Sequence, residues 1–283
     1  YSLTGDGISQ KLIELSEITS SASEIDGKVI PIDTIALLRA KTSTPSTVWV
    51  SGYYAKSDGA FGSNIFEWDS TSVEDDNGGT IIKLISVTTG RYKLKFSGAV
   101  NVKWFGAKED DNTVSVAASN SVAITKALNL TSHSYIPNGI FYTTLWINIV
   151  KSGVTIDFAG TIRQLEDENS SVHAFLISTN NVTLNNPIIS QEGRSGGTGT
   201  HSCLAIYGEY NTGSILINGG VIKYGASNCF QGGRNNVKFI GTSFLYSGEH
   251  LIYGNGHNGN GTKDGKANGL HFVNCTFSNP GTG

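Results

Sequence analysis

The sequence predicts an all-β chain: a right-handed parallel β-helix preceded by a small β domain and a short capping helix. Three observations predict it. Gly, Ser, Thr and Asn supply 117 of the 283 residues, a composition of turns and corners rather than of long helices. Charged residues make up only 15%, against roughly 25% in an ordinary soluble domain. Beyond residue 144, one pattern of short strand, turn and alternating apolar pair recurs.

Residues 1–30 are polar and weakly patterned. Ile8, Leu12, Ile13 and Leu15 could make one short helix, and Ser20-Ser-Ala-Ser23 reads as a linker.

Residues 31–99 read as a small β domain. Positions 34–40 suit a short helix, with Ile35, Leu38 and Leu37 on its apolar side. Thr47-Val-Trp-Val-Ser-Gly-Tyr-Tyr54 is rich in β-branched and aromatic residues and predicts a strand. Asp58-Gly-Ala-Phe-Gly62 turns the chain, and Ile65-Phe-Glu-Trp68 returns it with period-two alternation. Asp75-Asp-Asn-Gly-Gly79 is a second turn, leading into Thr80-Ile-Ile-Lys-Leu-Ile-Ser86. Gly90-Arg-Tyr-Lys-Leu-Lys-Phe96 closes a compact meander.

Residues 100–143 form a junction. Val102-Lys-Trp-Phe-Gly-Ala107 is apolar, and 121–130 carries the helix, with Val122, Ile124, Ala127, Leu128 and Leu130 near one face. Asn120 or Ser121 can cap it. Ile136-Pro-Asn-Gly-Ile-Phe-Tyr142 is a turn into a strand.

Residues 144–283 repeat. Apolar pairs open at Val154, Val182, Ile215, Val237 and Leu270, in steps of 28, 33, 22 and 33. Each is followed by an apolar residue about seven positions on: Ile162, Ile189, Ile222, Phe244 and Phe277. Short strands at this period, with Gly and Asn between them, describe coils stacked on one another. Gly and Asn supply the left-handed conformations that the corners need. A leucine-rich repeat would show several Leu at fixed spacing and a helix per unit, and these are missing.

The same figures exclude several functions. Net charge is −3 with no basic block, so no nucleic-acid footprint is expected. The longest aliphatic stretches, such as Ile35-Ala-Leu-Leu38, fall far short of the roughly 18–20 residues of a spanning helix, so no membrane partner is expected. Cys203, Cys229 and Cys275 show no metal-ligand spacing and read as three buried thiols. The run from Gly254 to Gly265 has no Gly-Lys-Ser/Thr and no calcium-binding Asp period. It reads as a corner loop lining a sugar groove, which brings His257 into the candidate set. No metal and no cofactor are expected.

A family likeness is carried by residues in fixed order. Gly52-Tyr-Tyr54, Asp58-Gly-Ala-Phe-Gly62, Ile65-Phe-Glu-Trp-Asp69, Asp75-Asp-Asn-Gly-Gly-Thr-Ile-Ile82 and Gly90-Arg-Tyr92 come first. Val100-Asn-Val-Lys-Trp-Phe-Gly-Ala107, the helix and Ile136-Pro-Asn-Gly139 follow. This order resembles the bacteriophage tailspikes and tail fibres of the pectate-lyase-like superfamily, the capsule or O-antigen depolymerases. Lys108-Glu-Asp-Asp-Asn-Thr113 departs from the Gly-containing stretch usual there. The resemblance implies a homotrimer, attached through its N-terminus to a phage tail or baseplate, that acts on bacterial surface polysaccharide. It does not locate catalytic residues.

Those are argued from chemistry. A hydrolase needs two carboxylates facing one groove, roughly 5–5.5 Å apart for retention and roughly 6.5–9.5 Å for inversion. A lyase needs a base such as Tyr, His or Lys. Glu249 and Asp264 lie in one coil and could meet if the loop folds back, so they are the candidate catalytic pair. Aligning the glycines 208, 232 and 254 puts Tyr207, Gln231 and Tyr253 in one column, and Leu204, Asn228 and His250 in another. Rings stack on sugar faces and amides bond hydroxyls, so Tyr207, Gln231 and Tyr253 are candidate substrate contacts. The same column would suit a trimer interface. Arg234 could grip an acidic sugar.

The expected function is recognition and degradation of host surface polysaccharide by glycoside hydrolysis, less readily by elimination. The alternative is a non-catalytic receptor-binding or structural tail module of the same fold; a secreted bacterial enzyme fits the first domain poorly. The final coil ends in Asn279-Pro-Gly-Thr-Gly283 with no capping element. The sequence is therefore expected to continue into further coils that carry the catalytic groups.

Overall fold

The computed structural model describes residues 29–61, 65–166, 173–193, 201–207, 213–232, 236–254 and 269–280. The helix and linker expected within residues 1–28 lie outside them.

The first domain is a five-stranded sheet packed on one short helix. Its strands are β1 (Ile30–Ile32), β2 (Thr47–Val50), β3 (Ile65–Asp69), β4 (Ile81–Ile82) and β5 (Arg91–Leu94), in the order β1-β2-β3-β5-β4. β1 runs parallel to β2 and the remaining pairs are antiparallel. Alternation decides which face is covered: Val48, Val50, Phe66, Tyr92 and Leu94 are buried, while Trp49 and Ile65, paired across β2 and β3, stay exposed. The segment 80–86 forms only the two-residue edge strand β4, because it leaves the sheet after Ile82. Helix α1 (Ile35–Arg39) is capped by Thr34, whose hydroxyl accepts from the Leu37 N–H. It buries Ile35 and Leu38, but Leu37 points to solvent.

A short strand, β6 (Val100–Asn101), and one 3₁₀ turn, Val102–Phe105, join the domains. Val102, Trp104 and Phe105 bury here and make the core continuous from the sheet into the coils.

Helix α2 (Val114–Leu128) is longer than the sequence suggests and starts seven residues earlier. Asn120 and Ser121 are therefore not its caps. Both lie mid-helix and buried, and serve the helix-to-coil seam instead. Asn120 accepts from the Lys108 N–H and donates to the carbonyls of Lys108 and Tyr142. Ser121 donates to Ala117 and accepts from the N–H groups of Thr144 and Leu145. The helix buries Ala117, Ala123, Ile124, Ala127 and Leu128, and leaves Val122 half exposed.

Stacking begins before residue 144. The first coil is β7 (His133–Ile136), β8 (Ile140–Thr143) and β9 (Ile147–Ile149). Each later coil adds one strand to each of three parallel sheets, except that the last described coil adds to the first two alone. The first sheet continues with β10 (Val154–Phe158), β13 (Val182–Asn185), β16 (Ile215–Asn218), β19 (Val237–Ile240) and β22 (Leu270–Val273). The second continues with β11 (Thr161–Gln164), β14 (Ile188–Ser190), β17 (Val221–Gly225), β20 (Ser243–Ser247) and β23 (Thr276–Pro280). The third continues with β12 (His173–Ile177), β15 (Ser202–Ile206), β18 (Asn228–Gly232) and β21 (His250–Tyr253). This is the expected parallel β-helix.

The register follows the apolar pairs. Val154, Val182, Ile215, Val237 and Leu270 stand directly above one another, as do Ile162, Ile189, Ile222, Phe244 and Phe277. All but Leu270 and Phe277 are buried. Asn186, Gly219, Gly241 and Asn274 turn the corner between the first two sheets with positive φ, the conformation these residue types tolerate best. Cys203 and Cys229 are buried free thiols; Cys275, expected buried, is only half so. Burial pushes the Cys229 thiol up to about 11.

Candidate functional site

The third sheet gathers most of the polar residues singled out from the sequence. Its strands β12, β15 and β18 are buried along their whole length, which is unusual for a sheet that has one face on a core. Two columns run up it, His173–Ser202–Asn228–His250 and Leu176–Ala205–Gln231–Tyr253. Leu176 and Ala205 are buried yet stand outside the main core cluster.

Polar links tie neighbouring coils together. The phenol oxygen of Tyr207 lies 3.0 Å from Nε2 of His173, with the rings edge to face at 5.2 Å. The hydroxyl of Ser202 donates to Oε1 of Gln231 at 2.8 Å. Nδ1 of His250 stands 3.3 Å from Oδ1 of Asn228, and its ring packs on that of Tyr253 at 5.5 Å. Burial raises the Tyr207 phenol well above its ordinary value. The amide nitrogen of Asn228 is buried and has no partner among the described residues. The seam thus offers a neutral phenol, an imidazole and amides: groups that bond hydroxyls and can move a proton.

Beside it, the corner between the second and third sheets holds a buried glutamine ladder. Gln191 donates to Oε1 of Gln164 at 2.7 Å, and Gln164 donates to the His173 carbonyl at 2.9 Å. Arg163, on the second sheet, pairs with Glu192 at 3.2 Å. On the first sheet Asp157 is held by His133 at 2.6 Å and by Asn185 at 2.8 Å.

Not every column matches the glycine alignment. Gln231 and Tyr253 do stack, but Ala205, not Tyr207, occupies their column. Likewise Ser202, not Leu204, lies below Asn228. Gly232 pairs with Ile206, so aligning it with Gly208 shifts β15 by two residues. Register is set by Phe230 sitting on Leu204 in the core, which outweighs where a glycine ends the strand. Tyr207 still reaches the seam, from just past the strand end.

Gln231 is buried in the seam, Tyr253 is half-buried, and Glu249 is exposed at the corner before β21. Asp264, Arg234 and His257 lie outside the described residues. Sequence reasoning missed His173, Ser202, Tyr224 and Tyr246. The last two are separated by 22 residues, the step between the apolar pairs at Ile215 and Val237, and that spacing was their signal. Among the described residues no group of three or more His, Cys, Asp or Glu is placed to hold a metal, and no helix is long and apolar enough to cross a membrane.

Residues 31–97 match the model of the phage tail protein small four-stranded β-sheet domain. No curated protein matches the sequence. Solved structures do match by fold. A tailspike of Acinetobacter phage vb_AbaP_AS12 aligns at 14% identity and a TM-score of 0.55, over 90% of this chain and 50% of that one. The enzymatically active domain of tailspike protein 2 of bacteriophage CBA120 aligns at 13% and 0.52, over 80% and 41%. WceF of Pantoea stewartii, a glycan biofilm modifying enzyme with a tailspike-like parallel β-helix fold, aligns at 12% and 0.51, over 90% and 42%. The chain spans half or less of the length of these structures. Residues 31–97 thus match a phage tail domain, and the coils that follow have the parallel β-helix fold of these solved tailspikes.

Proposed function

We propose that this chain is part of a phage tailspike that recognises and degrades host surface polysaccharide, capsule or O-antigen, by glycoside hydrolysis. One observation carries the reading: a phage tail domain whose core runs without a break into a parallel β-helix. Solved relatives of that fold include an enzymatically active tailspike domain and a glycan-modifying enzyme. In this reading the small domain faces the virion tail, and the coils meet the bacterial surface as a homotrimer. The polar seam of the third sheet is offered to sugar hydroxyls at its half-buried members, Tyr207 and Tyr253, while Gln231, buried and bonded by Ser202, supports them from within. Glu249, exposed at the corner, is the described member of the candidate carboxylate pair with Asp264.

A second reading has a specific observation in its favour. Asp157 and Glu192 are tied to His133, Asn185 and Arg163, which suits structure rather than acid catalysis. A binding module that leaves the polysaccharide intact would need no free carboxylate.

Incubation with intact host polysaccharide separates the readings. New reducing ends without the ultraviolet absorbance of unsaturated uronates are expected. Silence in both signals across a panel of host capsules and O-antigens would overturn the enzymatic reading in favour of the binding module.

A further inference from the structure

We propose that the corner between the second and third sheets is a binding platform for an acidic sugar residue. The platform is the stacked ring pair Tyr224–Tyr246, with the ammonium of Lys223 over the Tyr224 ring. The proposal rests on the polysaccharide reading above and names the class of sugar and the surface that takes it.

The first observation is the backbone. Tyr224 and Tyr246 have φ of 55° and 54°, in the left-handed region that bulky side chains rarely occupy. Elsewhere the coils fill such positions with Asn or Gly, as at Asn181, Asn236 and Gly269. Here two coils in succession place a tyrosine. A strained conformation kept twice, one coil above the other, points to a use for the side chain.

The second is the geometry. The rings are 4.9 Å apart and within 7° of parallel. That spacing exceeds the roughly 3.5–4 Å of direct contact, so the rings are offset and each leaves part of its face open. Tyr246 is 41% exposed. The corner is also pinched. A Cβ on Gly225 would stand 2.0 Å from the Asn228 carbonyl oxygen, and one on Gly248 would stand 2.1 Å from that of Ala226. The close turn leaves a groove of about 310 Å³ lined by Gln191, Gly193, Tyr224, Tyr246, Ser247 and Gly248.

The third is unmet polarity. Ser247 is 6% exposed, and its hydroxyl has no hydrogen-bond partner among the described residues. A buried hydroxyl in a groove wall is a group waiting for a ligand oxygen. Arg163, Ser190 and Lys223 form one row across the second sheet. Arg163 is paired with Glu192, whereas no acidic side chain pairs with Lys223 among the described residues. Its Nζ lies 5.4 Å from the centre of the Tyr224 ring. A pyranose packs its apolar C–H face on an aromatic ring. A carboxylate on that sugar would meet Lys223, and a sugar hydroxyl would meet Ser247.

The test is binding of uronate trisaccharides (glucuronate, galacturonate and mannuronate) and their carboxyl-reduced neutral counterparts to the full chain, read by saturation-transfer NMR and calorimetry. At least one acidic trisaccharide is expected to bind, with its neutral counterpart at least tenfold weaker. Lys223→Gln and Tyr246→Ala are each expected to weaken it tenfold or more. Tyr246→Asn separates ligand contact from folding. Asn suits the left-handed backbone, so this variant is expected to melt no lower than the parent while losing binding. The proposal is overturned if no acidic trisaccharide binds, or if binding survives Lys223→Gln and Tyr246→Asn. Cleavage of host polysaccharide without acidic-sugar binding sinks the platform alone. Tyrosine-dependent binding with no cleavage anywhere sinks the depolymerase reading alone.

Discussion

The phenol oxygen of Tyr207 lies 3.0 Å from Nε2 of His173, across two neighbouring coils of the third sheet. His173 is buried and Tyr207 half-buried, so the bond is partly shielded from water. Tyr207→Phe keeps the ring contact and removes the bond. The expected loss is roughly 1–3 kcal/mol of stability, the range for a buried hydrogen bond whose partner stays behind. Urea denaturation measures it. With Tyr207 a substrate contact and the carboxylates doing the chemistry, this variant is expected to bind polysaccharide more weakly, read as a raised KM, while kcat stays within a few-fold of the parent. A thousandfold fall, with unsaturated products from the parent, would instead make this pair the proton-transfer machinery of an elimination.

The core of the coils makes a second prediction. Phe230 is fully buried, stands on Leu204, and meets Phe239 edge to face at 5.1 Å. Phe230→Ala leaves a cavity that neighbours on two coils cannot close, since each is fixed by its own register. A loss of about 3–5 kcal/mol is expected. A thermal melt within a degree of the parent would show that the coils relax around the gap.

These two sites differ in how far the sequence reveals them. The column through Val154, Val182, Ile215, Val237 and Leu270 is legible because inward apolar alternation is a local pattern that repeats. The His173–Tyr207 pair is not. The residues are 34 apart, and they meet only because the strand register brings one coil over the next. A lone histidine in a polar stretch carries no such signal. Glycine placement misleads by two residues at Gly208, because packing of Phe230 on Leu204 decides the register. The first turns of α2 are equally faint, since Val114 to Ser119 show little amphipathic pattern and fold against the coil end through Ala117. The tyrosine stack has the right spacing in the sequence, but its left-handed backbone appears only in three dimensions.

Asp157 gives the third prediction, on pH. A hydrogen bond from Asn185 is the largest influence and lowers its carboxyl below the ordinary 3.8; partial burial opposes this, and His133 adds to the lowering. A carboxyl with a lowered folded value contributes stability that is present above its unfolded value. That contribution is lost as pH falls through the folded value. Melting temperatures of the parent and Asp157→Asn are therefore expected to differ at pH 5 to 7 and to converge below pH ~3. A difference that stays constant across this range would mean that the carboxylate charge does not contribute.

The last prediction concerns the joint between the domains. The carboxylate of Asp58 accepts from four backbone N–H groups, those of Tyr53, Tyr54, Ala55 and Ala60, at 2.7 to 3.2 Å. This fixes the loop that follows β2, and the loop in turn reaches the junction. The Tyr54 hydroxyl donates to the Gly106 carbonyl at 2.8 Å. Gly106 ends the 3₁₀ turn with φ of 89°, and a Cβ there would stand 2.6 Å from the Tyr53 ring. Loop and turn therefore hold each other. Hydrogen bonds to a charged group contribute about 1.5–3 kcal/mol, and Asp58 is only half-buried, so Asp58→Ala is expected to cost on the order of 2 kcal/mol. Asp58→Asn keeps one accepting oxygen and should lose less. The loss should be local, because the apolar core of the coils does not depend on this loop. Limited proteolysis is expected to cut Asp58→Ala between β2 and β3 at denaturant concentrations where the coils stay intact. Simultaneous loss of both domains would show instead that the small sheet and the β-helix unfold as one unit.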